Sequence, residues 1–420
     1  MLNNNPTKLT NNIKDQCAFC GACESVCPSN SINIDIDYGI YKLKIDNTKC
    51  NNCGLCIKVC PIYYWSIHDL DTIHKRDFQF LECWLYKSKN RETIDKSSSG
   101  GFITDFLINS LELDISSKTL VTQQLKHDGY FVAKPILTNS IEDIKNAAGS
   151  KYIISPVASK INEILSSDER LIVVGLPCHI RAFKLAEKMY PRFKENIILY
   201  ISLVCAHNTH PIINKVIIDK EYEGEEINDL IYRKSNWPGH FAVKTQEMYQ
   251  SLMTYSKLWR VFFSHFAFST KGCLACPEVL GEGDIVCGDP WGLSKNGCTV
   301  VIIRTKRGLQ LFKDFSLNEI GYIEKIIDEE AIYDICSLNI FNKYTALKHR
   351  SNKHVLRLGN LFIYLYNAII IKIVYFSNQN PEKMRSYLTI APNLLLSGTS
   401  LILVCLKKLH YIFSKGSDDK

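Results

Sequence analysis

The stretch "CAFCGACESVCP" places Cys17, Cys20, Cys23 and Cys27 at intervals of three, three and four, with Pro28 after the last. A second stretch, "CNNCGLCIKVCP", repeats the pattern at Cys50, Cys53, Cys56 and Cys60, followed by Pro61. C-x2-C-x2-C-x3-C-P suits cubane iron–sulfur chemistry. Three thiolates two residues apart wrap one corner of a cubane, and the fourth, set back on a helical turn, reaches a second cluster. Crossed ligation puts one 4Fe–4S cluster on Cys17, Cys20, Cys23 and Cys60 and the other on Cys50, Cys53, Cys56 and Cys27. Gly21 and Gly54 fall where the chain must turn tightly beside sulfur. Zinc knuckles use pairs of cysteines rather than triplets, and a disulfide framework has no need of two matching runs.

A cubane passes one electron at a time, so the remaining chain must supply or dock a second redox group. Four further cysteines are candidates for a third cluster. Cys178, in "VVGLPCHI", and Cys205, in "YISLVCAHN", each follow an apolar strand-like run, and cofactors in open α/β sheets sit beyond the strand carboxyl ends. Cys273 and Cys276 form a C-x2-C pair in "GCLACPE". The competing reading is that Cys178 and Cys205 are small buried hydrophobes. "KSSSGG" (Lys96–Gly101) and "AAGSKY" (Ala147–Tyr152) offer hydroxyls, glycines and a following helix start, which suit an anion such as a pyrophosphate. Serine-rich segments ahead of helices also serve simply as N-caps. The residues alone leave both alternatives open.

The positioning elements can be read coarsely. Residues 1–65 form a two-cluster ferredoxin-like unit. A connector leads to a strand near Phe78–Tyr86, and "SSSGGF" opens an amphipathic helix. "TLVTQQLKHDGYFVAKPIL" reads as two β-runs around His127–Gly129, "RLIVVGLPCHI" as a buried strand, turn and helix, and "NIILYISLVC" as another buried strand. "GDIVCGDPWGL" and "CTVVIIRT" add strands. This alternation predicts α/β layers with some parallel pairing. The predicted divisions are 1–65, 78–165, 166–335 and a basic, apolar helical tail over 336–420. The 420 residues, 46% hydrophobic, can bury a sizeable core. The net charge of +7 is uneven: Phe341–Lys420 holds 12 Lys and Arg against 3 Asp and Glu, so the rest is slightly acidic. No nucleic-acid partner is expected. Met1–Thr10 is polar and Asn-rich, and with the cysteine pattern this predicts a reducing cytoplasm.

The order of "SSSGGF", "GSKYIIS", "VVGLPCHI", "LVCAHN", "WPG", "CLAC" and "GDIVCGDPWG" behind the two cysteine runs resembles the beta subunits of coenzyme F420 hydrogenases and F420-dependent dehydrogenases, in their ferredoxin-fused bacterial form. The likeness covers about residues 15–310. It implies a ferredoxin-like domain followed by an α/β flavin-binding domain with a mixed sheet, hence an α+β and α/β fold. It implies FAD, with Ser98, Ser99, Gly100, Gly101, Ser150 and Lys151 as flavin-binding candidates, and a third 4Fe–4S cluster on Cys178, Cys205, Cys273 and Cys276. The implied activity is a flavin-dependent iron–sulfur oxidoreductase that exchanges single electrons for two-electron chemistry. Its electron partner would be a ferredoxin or a separate oxidoreductase chain. For the substrate, a step in surface-polysaccharide biosynthesis, such as one on a lipid-linked sugar, is the first expectation; the alternatives are reduction or oxidation of deazaflavin, and an electron-transfer or docking role without a substrate of its own.

His179 stands where Gln is common among such relatives and is expected to hydrogen-bond a carbonyl; His207 and an exposed His240 carry no assigned role. Cys83, Cys287, Cys298, Cys336 and Cys405 are expected to pack. Two tail stretches, Val355–Phe376 and Leu394–Phe413, are apolar and flanked by basic residues. Either they lie peripherally on the inner face of a membrane, or they cover the α/β core or a partner.

Overall fold

The computed structural model describes residues 16–222, 224–246, 248–259, 262–263, 266–326 and 330–340, with isolated positions from 343 to 380. Cys405, the stretch Leu394–Phe413 and most of Val355–Phe376 lie outside the described residues. No described helix is long and apolar enough to cross a membrane.

The N-terminal unit is built around an antiparallel hairpin, β1 (Ile32–Asp37) and β2 (Ile40–Ile45), with short helices at Ala22–Ser25 and Leu55–Lys58 inside the two cysteine runs. Gly21 and Gly54 precede those helices at φ +91° and +74°, backbone that residues with a Cβ rarely adopt. Helices Pro61–Ile67 and Leu70–Asp77 then carry the chain to the main sheet. Pro61 takes the first position of its helix, where its missing N–H costs nothing.

The main sheet has strands β3 (Glu82–Ser88), β4 (Lys118–His127), β5 (Tyr130–Thr138), β6 (Leu171–Gly175), β7 (Ile197–Leu203), β11 (Ile285–Gly288), β12 (Thr299–Ile303) and β13 (Gly321–Ile326). Their order is β13-β3-β12-β11-β7-β6-β4-β5. The centre, β4-β6-β7-β11, is parallel and the flanks are antiparallel, so the sheet is mixed as the sequence predicts. "LIVVG" and "IILYISL" form central strands because both faces of a parallel sheet are covered and demand unbroken apolar runs. The β4–β5 hairpin closes on Asp128–Gly129, both at positive φ, the turn that matches strand twist. A second antiparallel sheet, β8 (Ile227–Lys234), β9 (His240–Thr245) and β10 (Met248–Thr254), stands beside it.

Two helices bear on the site. Phe102–Glu112 follows the serine-rich loop and packs Phe102 and Phe106 on the sheet with Phe312 and Phe315. Pro177–Met189 follows β6 and buries Ile180, Ala182 and Phe183. Because β6 and β7 are parallel neighbours, their carboxyl ends deliver Cys178 and Cys205 to the same edge of the sheet.

Candidate redox site

Three cavities follow in series, the middle one sharing lining residues with each of the other two. The first is lined by Cys17, Cys20, Cys23 and Cys60, with Ile32, Leu43 and Ile62 among its apolar walls; Cys56 also reaches it. Burial pushes the Cys17, Cys20, Cys23 and Cys60 thiols up, Cys20 to about 11 and Cys60 to about 12, and neighbouring cysteines add to the effect on Cys60. Bound iron would reverse that logic by drawing each sulfur to the thiolate. Of the other proposed set, Cys27 and Cys56 pack on the same apolar cluster as Cys17 and Cys23. Burial acts to raise the Cys27 thiol, but hydrogen bonds from Ser31 and Ser29 outweigh it and hold the group below its usual range. Cys50 is half-buried and Cys53 exposed.

The second cavity is lined by Cys178, Cys205, Cys273 and Cys276. These four arrive from three separate segments: the start of the helix after β6, the end of β7, and the short helix Lys271–Ala275 with its C-cap. They fit a 4Fe–4S cluster in donor type and number. Burial pushes Cys178 far up and Cys276 to about 12, with the other cysteines contributing to both. Among the described residues no group of three Cys, His, Asp or Glu side chains is placed to hold a single metal ion. A cubane spaces its thiolates more widely than one ion does. Lys343 also lines this cavity, donating to Cys276 Sγ at 3.2 Å and to the Glu278 carbonyl at 2.7 Å.

Ala18 borders both cysteine-lined cavities. The contact behind it is backbone on backbone: a Cβ on Gly272 would lie 2.6 Å from Ala18 N and from Cys17 C. Glycine there lets the helix bearing Cys273 sit directly on the first cysteine run. His210 fastens the same seam. It is buried, its Nδ1 accepts the Tyr41 N–H at 3.0 Å, and its ring meets Phe19 edge-on at 5.4 Å. Burial pulls His210 down to about 3, so it stays neutral and remains an acceptor.

The third cavity, about 1000 Å³, shares Ser155, Leu176, His179, Cys205 and Asn208 with the second. Ser98, Ser99, Gly101, Ser150 and Lys151 line it. Ser150 N–H donates to Ser98 Oγ at 2.7 Å, which ties the two candidate anion loops together. Gly100 does not line the cavity. It lies against the sheet, where a Cβ would meet Tyr86 O at 2.0 Å and Thr299 N at 2.4 Å. The Lys151 ammonium donates to the carbonyls of Ala147, Ala148 and Gly149. Burial lowers Lys151 to about 7, against an opposing pull from Asp229. A dinucleotide flavin fits this cavity in size and in its mixture of apolar walls and convergent donors.

Across the same cavity stands a group that sequence reasoning missed. Arg233 is 4% exposed, pairs with Asp289 at 2.7 Å and donates to the Pro238 carbonyl at 2.9 Å. Its Nη2 has no hydrogen-bond partner. Tyr255 lies under the guanidinium and stacks on Trp291. The only signal in the sequence was that Arg233 and Asp289 fall beside "WPG" and within "GDPWG", two motifs of the resemblance. Asp77 was missed as well. Its buried carboxylate accepts the N–H groups of Val279, Leu280 and Gly281, fixing the loop after Cys276.

His179 is buried; its Nδ1 accepts the Leu176 N–H at 3.1 Å, the backbone of Ser155 is its other hydrogen-bond partner, and burial lowers it to about 3. His207 meets Ser269 Oγ at 2.8 Å and stacks on Phe266, and His240 is exposed at the start of β9. Cys83, Cys287 and Cys336 are buried in the core. Cys298 differs from expectation: it precedes β12 in a loop, half-buried, with Ser294 Oγ at 3.7 Å.

Comparison with known proteins agrees with this architecture. Residues 16–63 match the 4Fe-4S dicluster domain. Residues 83–162 match the N-terminal part, and residues 168–329 the C-terminal part, of the coenzyme F420 hydrogenase/dehydrogenase beta subunit. An F(420)H(2) dehydrogenase component of Methanosarcina mazei is 26% identical over 256 residues, covering 58% of this chain and 68% of that protein. The beta subunit of a coenzyme F420 hydrogenase of Methanothermobacter thermautotrophicus is 25% identical, covering 54% and 78%. The coenzyme F420-dependent sulfite reductase of Methanocaldococcus jannaschii is 24% identical over 362 residues, covering 81% of this chain and 52% of its own length. A chain of the F420-reducing [NiFe] hydrogenase complex from Methanosarcina barkeri shares the fold, with TM-score 0.51 at 19% identity over 65% of this chain and 93% of that one.

Proposed function

The chain belongs to the family of coenzyme F420 hydrogenase/dehydrogenase beta subunits, and we propose that it links its dicluster domain, through a third 4Fe–4S cluster, to a flavin in the large cavity. At the coarser level it is an iron–sulfur electron-transfer oxidoreductase. One observation carries the finer reading. The cavity lined by four cysteines shares Ala18 with the first cluster cavity and Cys205 with the large one. A group held there has a neighbour on each side.

Clusters supply single-electron transfer, and a flavin couples two such transfers to one two-electron reaction. The chain's own residues do the rest. Cys178, Cys205, Cys273 and Cys276 are the assigned ligands of the third cluster. Ser98, Ser99, Gly101, Ser150 and Lys151 form the anion end of the flavin site, and Gly100 holds their loop against β3 and β12. Arg233, with a buried and unpartnered Nη2 in the cavity wall, can take a further negative charge from the flavin or from a substrate. Leu176, Val204 and Phe263 add apolar lining to the same cavity.

The two-electron partner we place first is coenzyme F420, because the names of several relatives carry it. It stands ahead of a surface-polysaccharide intermediate, which none of those names suggests. The relative in a hydrogenase complex supports a partner oxidoreductase at the other end of the chain of electron carriers.

Anaerobic reconstitution tests the reading. It predicts about 12 irons per chain, four to each cubane, and one bound flavin. Cys273 lines the small cavity and not the large one, so Cys273→Ser should fall to about eight irons and keep its flavin. Eight irons in the unaltered protein would overturn the third cluster.

A further inference from the structure

Lys343 is 3% exposed, yet its ammonium reaches the cysteine-lined cavity between the dicluster domain and the large cavity. It donates to Cys276 Sγ at 3.2 Å and to the Glu278 carbonyl at 2.7 Å. Glu278 gives it only that carbonyl: its side chain turns to Arg181, which holds Glu278 and Glu282 together. Lys343 lies beyond residues 168–329, the segment matched by the family's C-terminal part. It belongs to a later part of the chain.

We infer that Lys343 is a redox-tuning residue, which raises the reduction potential of a cluster held by Cys178, Cys205, Cys273 and Cys276. This rests on the third-cluster reading above. Adding an electron to a cubane makes its thiolates more negative, so a fixed positive charge that donates to one sulfur favours the reduced state. Net charge and hydrogen bonds to sulfur are two of the levers that set cluster potential, and burial strengthens both. Among the charges around this cavity, Lys343 contacts a ligand sulfur directly, while Arg181 is spent on two carboxylates. The consequence is directional. By raising that potential, Lys343 would favour electrons from the dicluster domain resting beside Cys205, next to the large cavity.

Lys343→Met keeps the apolar stem and removes the ammonium; Lys343→Arg keeps the charge. All forms are reconstituted anaerobically, counted for iron, and poised at one fixed potential for electron paramagnetic resonance. The difference against Cys273→Ser assigns the third cluster's signal. The expected result is a full iron count in Lys343→Met with about a tenfold lower reduced-to-oxidised ratio at that cluster, equivalent to about 59 mV for one electron. The dicluster signals should stay unchanged and Lys343→Arg should recover most of the ratio. An unchanged ratio at full iron count overturns the inference. Loss of four irons in both Lys343 variants also overturns it, because Lys343 would then be holding the ligand loop rather than tuning the cluster. If the unaltered protein gives no third signal, the third-cluster reading itself falls and takes this inference with it.

Discussion

Asp77→Ala strikes the loop that follows Cys276 without touching a cysteine. The Asp77 carboxylate, 3% exposed, accepts Val279 N–H at 2.6 Å, Leu280 N–H at 3.1 Å and Gly281 N–H at 2.6 Å. Alanine leaves three buried donors without an acceptor. Each orphaned donor costs about 1–3 kcal/mol, which gives roughly 3–9 kcal/mol for the three. A water entering the gap recovers part of this, so about 3–5 kcal/mol is expected. That is a large fraction of the ~5–15 kcal/mol that holds a domain folded. The loss is local, since Val279 to Gly281 form a loop and not part of the sheet. The loop should loosen, and the second cysteine cavity with it, before the sheet melts. The assay is iron per chain after anaerobic reconstitution, alongside thermal unfolding followed by circular dichroism. Asp77→Ala should lose about four irons and unfold at a lower temperature. Asp77→Asn, which keeps one carboxamide oxygen, should fall between. Full iron and an unchanged transition in Asp77→Ala would refute the reasoning.

Gly272→Ala should separate the first cysteine run from the helix bearing Cys273, because its Cβ would stand 2.6 Å from two backbone atoms. Overpacking of this kind costs about 1–3 kcal/mol, and faster proteolysis between residues 60 and 80 would report it. His210 is held at about 3 against an ordinary 6.5. The unfolded chain therefore takes up a proton before the folded one does, and stability present above 6.5 is lost as pH falls toward 3. About 2 kcal/mol should go between pH 7 and pH 5, and denaturant titration of His210→Gln at both values should show a smaller loss. Lys151, held near 7 by burial, gains charge as pH falls. FAD affinity should then weaken about tenfold from pH 6 to pH 8, and fluorescence titration of Lys151→Met should lose that dependence.

The cysteine runs were legible because ligand spacing is a local property: two triplets and two set-back cysteines specify their chemistry within some forty residues. The central strands were legible for a similar reason, since "LIVVG" and "IILYISL" admit few other fates. The convergence of Cys178, Cys205, Cys273 and Cys276 was only half visible. That two parallel strands should end side by side follows from α/β topology, but the arrival of Cys273 and Cys276 depends on the Gly272 contact with Cys17 and Ala18. Lys343 and Asp77 were not legible at all, and Arg233 showed only as a neighbour of the "WPG" motif. Each looks like an ordinary surface charge in its own segment, and each acquires its role from partners 56 to 204 residues distant. Gly100 illustrates the converse: a glycine in a serine-rich loop suggests approach to a ligand, whereas here the close approach is to Tyr86 and Thr299.

Contiguity, from dicluster domain to cysteine-lined cavity to large cavity, underlies the proposed relay, and a stopped-flow reduction tests it directly. Reconstituted protein with FAD bound is mixed anaerobically with a reduced ferredoxin, and bleaching of iron–sulfur and flavin absorbance is followed together. The flavin band should bleach after the cluster bands. Cys273→Ser, with its flavin still bound and its dicluster domain still reduced at the normal rate, should leave the flavin oxidised on the same timescale. Flavin bleaching at an unchanged rate in Cys273→Ser would contradict the relay.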